Sequence, residues 1–283
     1  MRWSDLRRSG NVEDRRGMSG GGKVAIGGIG MIIVLAIGLL TGQDPSEILS
    51  NLQQGQETEQ VQTQQPQGPR PDDKTADFVT AVLGSTEDVW GQIYSQNGGQ
   101  YEQPKLQIFE NSTQSGCGGA SSAMGPFYCP ADRKVYIDLS FCDELREKFN
   151  APGDFAVAYV VAHEVGHHVQ QLMGISEKLQ SQRGRISEEE YNKLSVKLEL
   201  QADFLAGVWA NHADKMSSIL EPGDLEAALT AANAIGDDKL QKESQGYVVP
   251  DAFTHGSSKQ RMYWFKKGFD TGDLNQGKYE DIQ

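Results

Sequence analysis

Val160-Val161-Ala162-His163-Glu164-Val165-Gly166-His167-His168-Val169-Gln170-Gln171-Leu172 is the stretch on which the reading of this chain turns. An apolar run from Ala156 to Ala162 leads into it. Pro152-Gly153 breaks the chain ahead of it, Asp154 offers an N-cap and Gly174 a C-terminal stop, so the pattern predicts one buried helix. Residues four apart share a helix face, which sets His163 beside His167. Two imidazoles so placed can hold one zinc ion, with Glu164 alongside to take a proton from water. His168 lies about 100° further round and reads as a histidine satisfied by its surroundings or supporting the ligands. The competing reading is a chance motif of core histidines; against it, polar groups on so apolar a helix require partners.

A catalytic zinc keeps three protein ligands and one open position. Gln170 and Met173 stand where a metzincin extension needs glycine and histidine, which excludes that class. A glutamate from a second helix is the other common solution. Ser187 with Glu190 forms a capping box that starts a long helix reaching about His212, with Leu194, Leu198, Phe204, Leu205 and Val208 on its apolar side. Within it, Glu199-Leu200-Gln201-Ala202-Asp203 supplies the candidate third ligand, Glu199. Asp203, one turn on, can accept the free N–H of a ligand histidine and fix its tautomer. Lys193 and Lys197 nearby leave open a plain solvated face.

The chain has 283 residues and a net charge of −13, which argues against nucleic acid as a partner. Residues 1–23 hold six basic and three acidic side chains and read as a disordered, cytoplasmic basic tail. Val24 to Leu40 carries no charge, and the uncharged run extends to Gln43. This reads as one short transmembrane helix over 24–43 rather than a signal peptide, because Leu39 to Gln43 is a poor cleavage site. Residues 44–73, rich in Gln and Pro, read as a flexible linker, and residues 74–283 as the folded domain beyond the membrane. Within that domain helices are expected over Thr75 to Tyr94, Asp143 to Phe149, Asp224 to Leu240 and from Ser257 or Ser258 to Phe269. Short strands are expected over Lys105 to Glu110 and Lys134 to Leu139. The fold class is α+β, mainly helical, with a small sheet whose exposed edge can bind an extended peptide. Three cysteines are present: Cys117 and Cys129 would close a short loop in an oxidising compartment, or all three are free buried thiols.

His163-Glu164-x-x-His167 followed by Glu199-x-x-Ala202-Asp203 resembles the gluzincin metallopeptidases, especially the CAAX-processing membrane peptidases and their bacterial heat-shock relatives. The stretch from Cys117 through Gly125-Pro126-Phe127-Tyr128-Cys129-Pro130, Val135 to Leu139 and Gly153-Asp154-Phe155-Ala156 to Gln170 is similar to the bacterial neutral zinc metallopeptidase family, over nearly the whole chain. The resemblance implies a zincin-like fold, bound Zn2+, and a peptide or protein substrate. It implies a localisation in the bacterial inner membrane with the C-terminal domain periplasmic. Cys142 departs from it, standing where an aromatic residue is expected, and is expected to be unpaired. Thr254-His255-Gly256 with Arg261 looks like the Thr-His-Pro…Arg segment of the CAAX-processing group, which makes His255 the candidate for stabilising the oxyanion, with Gly256 in place of proline. Arg261 is then free to pair Asp203 or cap the last helix. The expected activity is endopeptidase cleavage with His163, His167 and Glu199 on zinc and Glu164 as general base. A non-catalytic zinc module that binds peptides or partners, and an assembly protein with an accidental motif, are the alternatives.

Overall fold

The computed structural model describes residues 1–17, 73–147 and 153–282. The apolar stretch over 24–43 and the linker up to residue 72 lie outside the described residues. No helix among the described residues is long and apolar enough to cross a membrane.

The fold is mainly helical with a small mixed sheet. Strand β1 (Val12–Asp14) pairs in parallel with β2 (Lys105–Phe109). Residues Lys74–Gln96 form α1, capped by Asp73, whose carboxylate accepts the Ala76 N–H. A two-stranded antiparallel hairpin follows β2, with β3 (Ser112–Ser115) and β4 (Gly118–Ser121). The sheet is completed by β5 (Phe127–Cys129) and β6 (Lys134–Asp138), in the order β1-β2-β6-β5, with β5 antiparallel at the edge. The remaining helices are α2 (Ser140–Glu147), α3 (Asp154–Leu172), α4 (Ile175–Gln180), α5 (Glu188–Ser217), α6 (Asp224–Ala234), α7 (Asp237–Gln245) and α8 (Ser258–Thr271).

Helix α3 is the centre of the core. Its residues from Phe155 to Gly166 are all buried, as expected of a helix apolar all round. It packs on α5, α6 and α1, and meets β5 and β6. Asp154 is the first residue of α3 rather than its N-cap, and its carboxylate accepts the Trp3 indole N–H at 3.0 Å. The long helix α5 starts at the expected Ser187 capping box. Ser257 likewise caps α8, with Gln260 closing the box.

Residues 1–16 are folded onto the rest of the described chain rather than forming a loose tail; residues 18–23 lie outside the described residues. Besides the β1 pairing, the Ser9 N–H donates to the Thr80 carbonyl of α1 at 3.1 Å. Arg7 meets Glu87 and Asp88, and Arg8 meets Asp77. Glu87 is buried, and also accepts from the Ser9 hydroxyl and the Asn11 amide. The charges that suggested disorder are matched by carboxylates on α1. Residues 1–16 thus belong to one folded unit with the described residues from 73 onward.

Two further expectations change. The single helix foreseen from Asp224 to Leu240 is broken at Ile235–Gly236 into α6 and α7. The break turns Asp237 and Asp238 toward the loop before α8, where Asp238 accepts the Ser258 N–H at 2.7 Å. Helix α2 begins three residues earlier than foreseen, at Ser140. Cys117 and Cys129 form a disulfide with a Cα–Cα distance of 5.8 Å, tying the β3–β4 hairpin to β5. Cys142 is free and buried; burial pushes its thiol up to about 12, which leaves it unreactive.

Candidate metal centre

Helix α5 lies across α3 so that Glu199 faces both motif histidines. Glu199 Oε2 is 3.2 Å from His163 Nε2, and its Oε1 is 3.4 Å from His167 Nε2. One donor atom from each of the three lies within 4.8 Å of the others, the single such cluster among the described residues. Ligands of a tetrahedral zinc with bonds of about 2.1 Å stand about 3.4 Å apart, so two nitrogens and a carboxylate at these separations fit the ion.

Hydrogen bonds fix which ring nitrogens are available. His163 Nδ1 donates to Asp203 Oδ1 at 2.8 Å, so Nε2 is the nitrogen that faces Glu199 and that a metal would deprotonate. His167 Nδ1 lies 2.9 Å from Gln170 Oε1. The Gln170 amide nitrogen donates to the Leu198 carbonyl and to Gln201 Oε1, so its oxygen must be the acceptor from His167 Nδ1, and His167 likewise turns its Nε2 to Glu199. Both tautomers suit a metal.

Asp203 is fully buried and serves several donors. Arg261 Nε meets its Oδ2 at 2.9 Å, Arg261 Nη2 its Oδ1 at 3.0 Å, and the Tyr159 hydroxyl its Oδ1 at 2.6 Å. Burial alone would raise the Asp203 carboxyl; Arg261 and His163 hold it below the usual range. Burial would depress His163, but Asp203 lifts it to about 10. Burial would raise Glu199, yet His167 and His163 hold it well below the ordinary value. Two basic imidazoles facing an ionised carboxylate make a pocket that favours a cation.

The approach of α5 to α3 depends on Gly166. A Cβ there would stand 3.0 Å from the Ala202 carbonyl oxygen. Gly166→Val is therefore expected to push the helices apart, destabilising the fold by about 1–3 kcal/mol and weakening zinc binding. Thermal melting and metal titration of the purified variant would check this; unchanged values would contradict the close packing.

Glu164 is buried and is not one of the three donors. It lines, with all three, a cleft of about 600 Å³ whose walls include Phe127, Tyr128, Phe141, Leu198 and Leu240. Burial raises the Glu164 carboxyl above its ordinary value, opposed by His163 and His167. His255 lines the same cleft with half its side chain exposed. Its Nδ1 is 3.1 Å from Asp237 Oδ1. Asp237 Oδ2 accepts the backbone N–H groups of Thr254, His255 and Gly256. Gly256 has φ +90°, a conformation closed to proline, which also lacks the N–H. The loop therefore departs from a Thr-His-Pro segment for a physical reason. Arg261 pairs with Asp203 rather than capping α8. Sequence reasoning missed Asp237, Gln170 and Tyr159; each acts across a tertiary contact that no local pattern announces.

A family model described as "Putative neutral zinc metallopeptidase" matches residues 1–279. The chain belongs to this zinc metallopeptidase family. Membership implies Zn2+ as cofactor and a peptide or protein as substrate; the His163–His167–Glu199 cluster is compatible with that ion. The match includes residues 1–16, the segment folded onto α1. The chain is similar to "Uncharacterized protein YpfJ" of Escherichia coli (strain K12), 50% identical over 285 residues, covering 98% of this chain and 97% of that protein. It is also similar to "Uncharacterized protein Mb2605" of Mycobacterium bovis, 40% identical over 208 residues, covering 70% of this chain and 68% of that protein. No solved structure matches the chain significantly.

Proposed function

We propose that the chain is a zinc-dependent endopeptidase of the HExxH…ExxAD type. The observation that carries this is the convergence of two imidazole nitrogens and one carboxylate within 4.8 Å, beside a second carboxylate, Glu164, that is not a ligand. His163, His167 and Glu199 would hold the zinc, which when bound would supply Lewis acidity to a water and to the substrate carbonyl. Glu164, with its raised pKa, takes a proton from the attacking water and delivers it to the leaving amine. His255, held by Asp237, hydrogen-bonds the developing oxyanion. The apolar walls of the cleft suit an extended chain bearing large apolar side chains, and β5 offers an edge for main-chain hydrogen bonds. Hydrolysis of a peptide library by the purified full chain, abolished by Glu164→Gln, is the test; equal activity of the two would sink the reading.

The His255 role carries its own pH signature. Asp237 raises the His255 pKa above the usual imidazole value, against some lowering by burial. The donating form is the imidazolium, so activity falls as pH rises through that raised value. Asp237→Asn removes the partner and is expected to move the alkaline limb of kcat/KM to lower pH. A pH profile with an unshifted limb would remove His255 from the reaction.

The Cys117–Cys129 disulfide supports an oxidising compartment for the folded unit. Residues 1–16 share that compartment with residues 73–282.

A further inference from the structure

Helix α3 carries chemistry on two faces. His163 and His167 look toward α5. Glu164 and His168, also four residues apart, share the neighbouring face and meet β5. His168 is not one of the three metal donors, yet it is completely buried, so both ring nitrogens need partners. Nε2 lies 2.7 Å from the Glu102 carbonyl oxygen and Nδ1 lies 3.0 Å from the Tyr128 hydroxyl. A carbonyl only accepts, so Nε2 carries the proton. Nδ1 keeps its lone pair, and the Tyr128 hydroxyl donates to it. The rings of Tyr128 and Tyr101 pack edge-on to the imidazole, with centroids at 5.5 and 5.8 Å.

Tyr128 is the middle residue of the edge strand β5 and lines the cleft. Its side chain is tied to His168 at 3.0 Å, so this strand residue is held to α3 one turn beyond Glu164. Within the sheet β5 is held by its pairing with β6 and, at Cys129, by the disulfide to the β3–β4 hairpin; the Tyr128–His168 hydrogen bond joins it to α3.

We propose that His168 and Tyr128 are positioning residues whose hydrogen bond holds the edge strand β5 against the Glu164 face of α3, fixing the strand along which a peptide lies. The role in peptide binding rests on the peptidase reading; the restraint on β5 does not.

Tyr128→Phe keeps the ring and removes the hydroxyl. In the zinc-loaded full-length protein, amide hydrogen exchange over residues 127–129 is expected to quicken about three- to tenfold, as loss of one hydrogen bond allows. KM for a cleaved peptide is expected to rise by a similar factor, with kcat within about twofold and zinc retained. His168→Gln, whose amide can accept from Tyr128 and donate to Glu102, is expected to restrain β5 as the wild type does, and His168→Leu to release it. Unchanged β5 exchange in Tyr128→Phe, or equal exchange in the two His168 variants, overturns the proposal whether or not any peptide is cleaved. A fall in kcat without a change in KM overturns the assignment to peptide binding. Absence of cleavage by the wild type would instead fail the peptidase reading, leaving exchange to decide on the strand.

Discussion

Glu164→Gln is expected to lower kcat/KM for peptide hydrolysis by about 10²- to 10⁴-fold, the range for loss of a positioned general base, while the protein keeps its zinc. The two halves of this expectation come from separate observations. The metal donors are His163, His167 and Glu199, so an amide at position 164 removes none of them. Glu164 lines the same cleft as those donors and is buried, and the other carboxylate in the described lining, Glu199, is a metal donor. Glutamine matches glutamate in size, and it replaces a carboxyl whose pKa burial already raises; the fold should be unaffected. Steady-state kinetics with elemental analysis of the same preparation would check both halves. Full activity would remove Glu164 from the mechanism, and lost zinc would make it part of the metal site.

Glu199→Ala is expected to weaken zinc binding by more than the 10- to 100-fold that follows loss of an outer partner, because it deletes a donor. Activity should fall with the metal. The variant also unbalances the site. Glu199 contributes to raising both motif histidines, so without it their pKa values should drop and their ring protons become easier to lose. Asp203 still holds His163 Nδ1, and Gln170 still holds His167 Nδ1, so the two imidazoles stay oriented and a residual weak site is expected. Zinc titration in competition with a chelator would measure the change. Wild-type affinity in this variant would mean that the third ligand lies elsewhere.

Much of the site was legible because its signals are local. The i, i+4 spacing of His163 and His167, the apolar run before them and the Ser187–Glu190 box are properties of single helices. Glu199 was legible as a carboxylate in an apolar setting with Asp203 one turn on. Strand β1 was hidden because three residues give no alternation to read, and because unpaired charge and matched charge look alike in a sequence. Strand β5 was hidden among glycines, serines and prolines. The break between α6 and α7 was obscured by the high helix propensity on both sides. What holds the site was the least visible part: Asp237 behind His255, Gln170 behind His167 and Tyr128 against His168 are contacts made only once α3, α5, β5 and the loop before α8 are assembled. Gly256 stands where the resemblance to the Thr-His-Pro segment expects proline. Its φ of +90° and its N–H to Asp237 hold the His255 loop by a contact that proline could not make.

The measurement closest to the central claim is the metal content of the purified full chain at neutral pH, by elemental analysis after equilibration with zinc and removal of loosely bound ions. The account predicts one zinc per chain. A protein that retains no zinc while folded would contradict it, since His163, His167 and Glu199 would then be a buried ion cluster with no metal to hold.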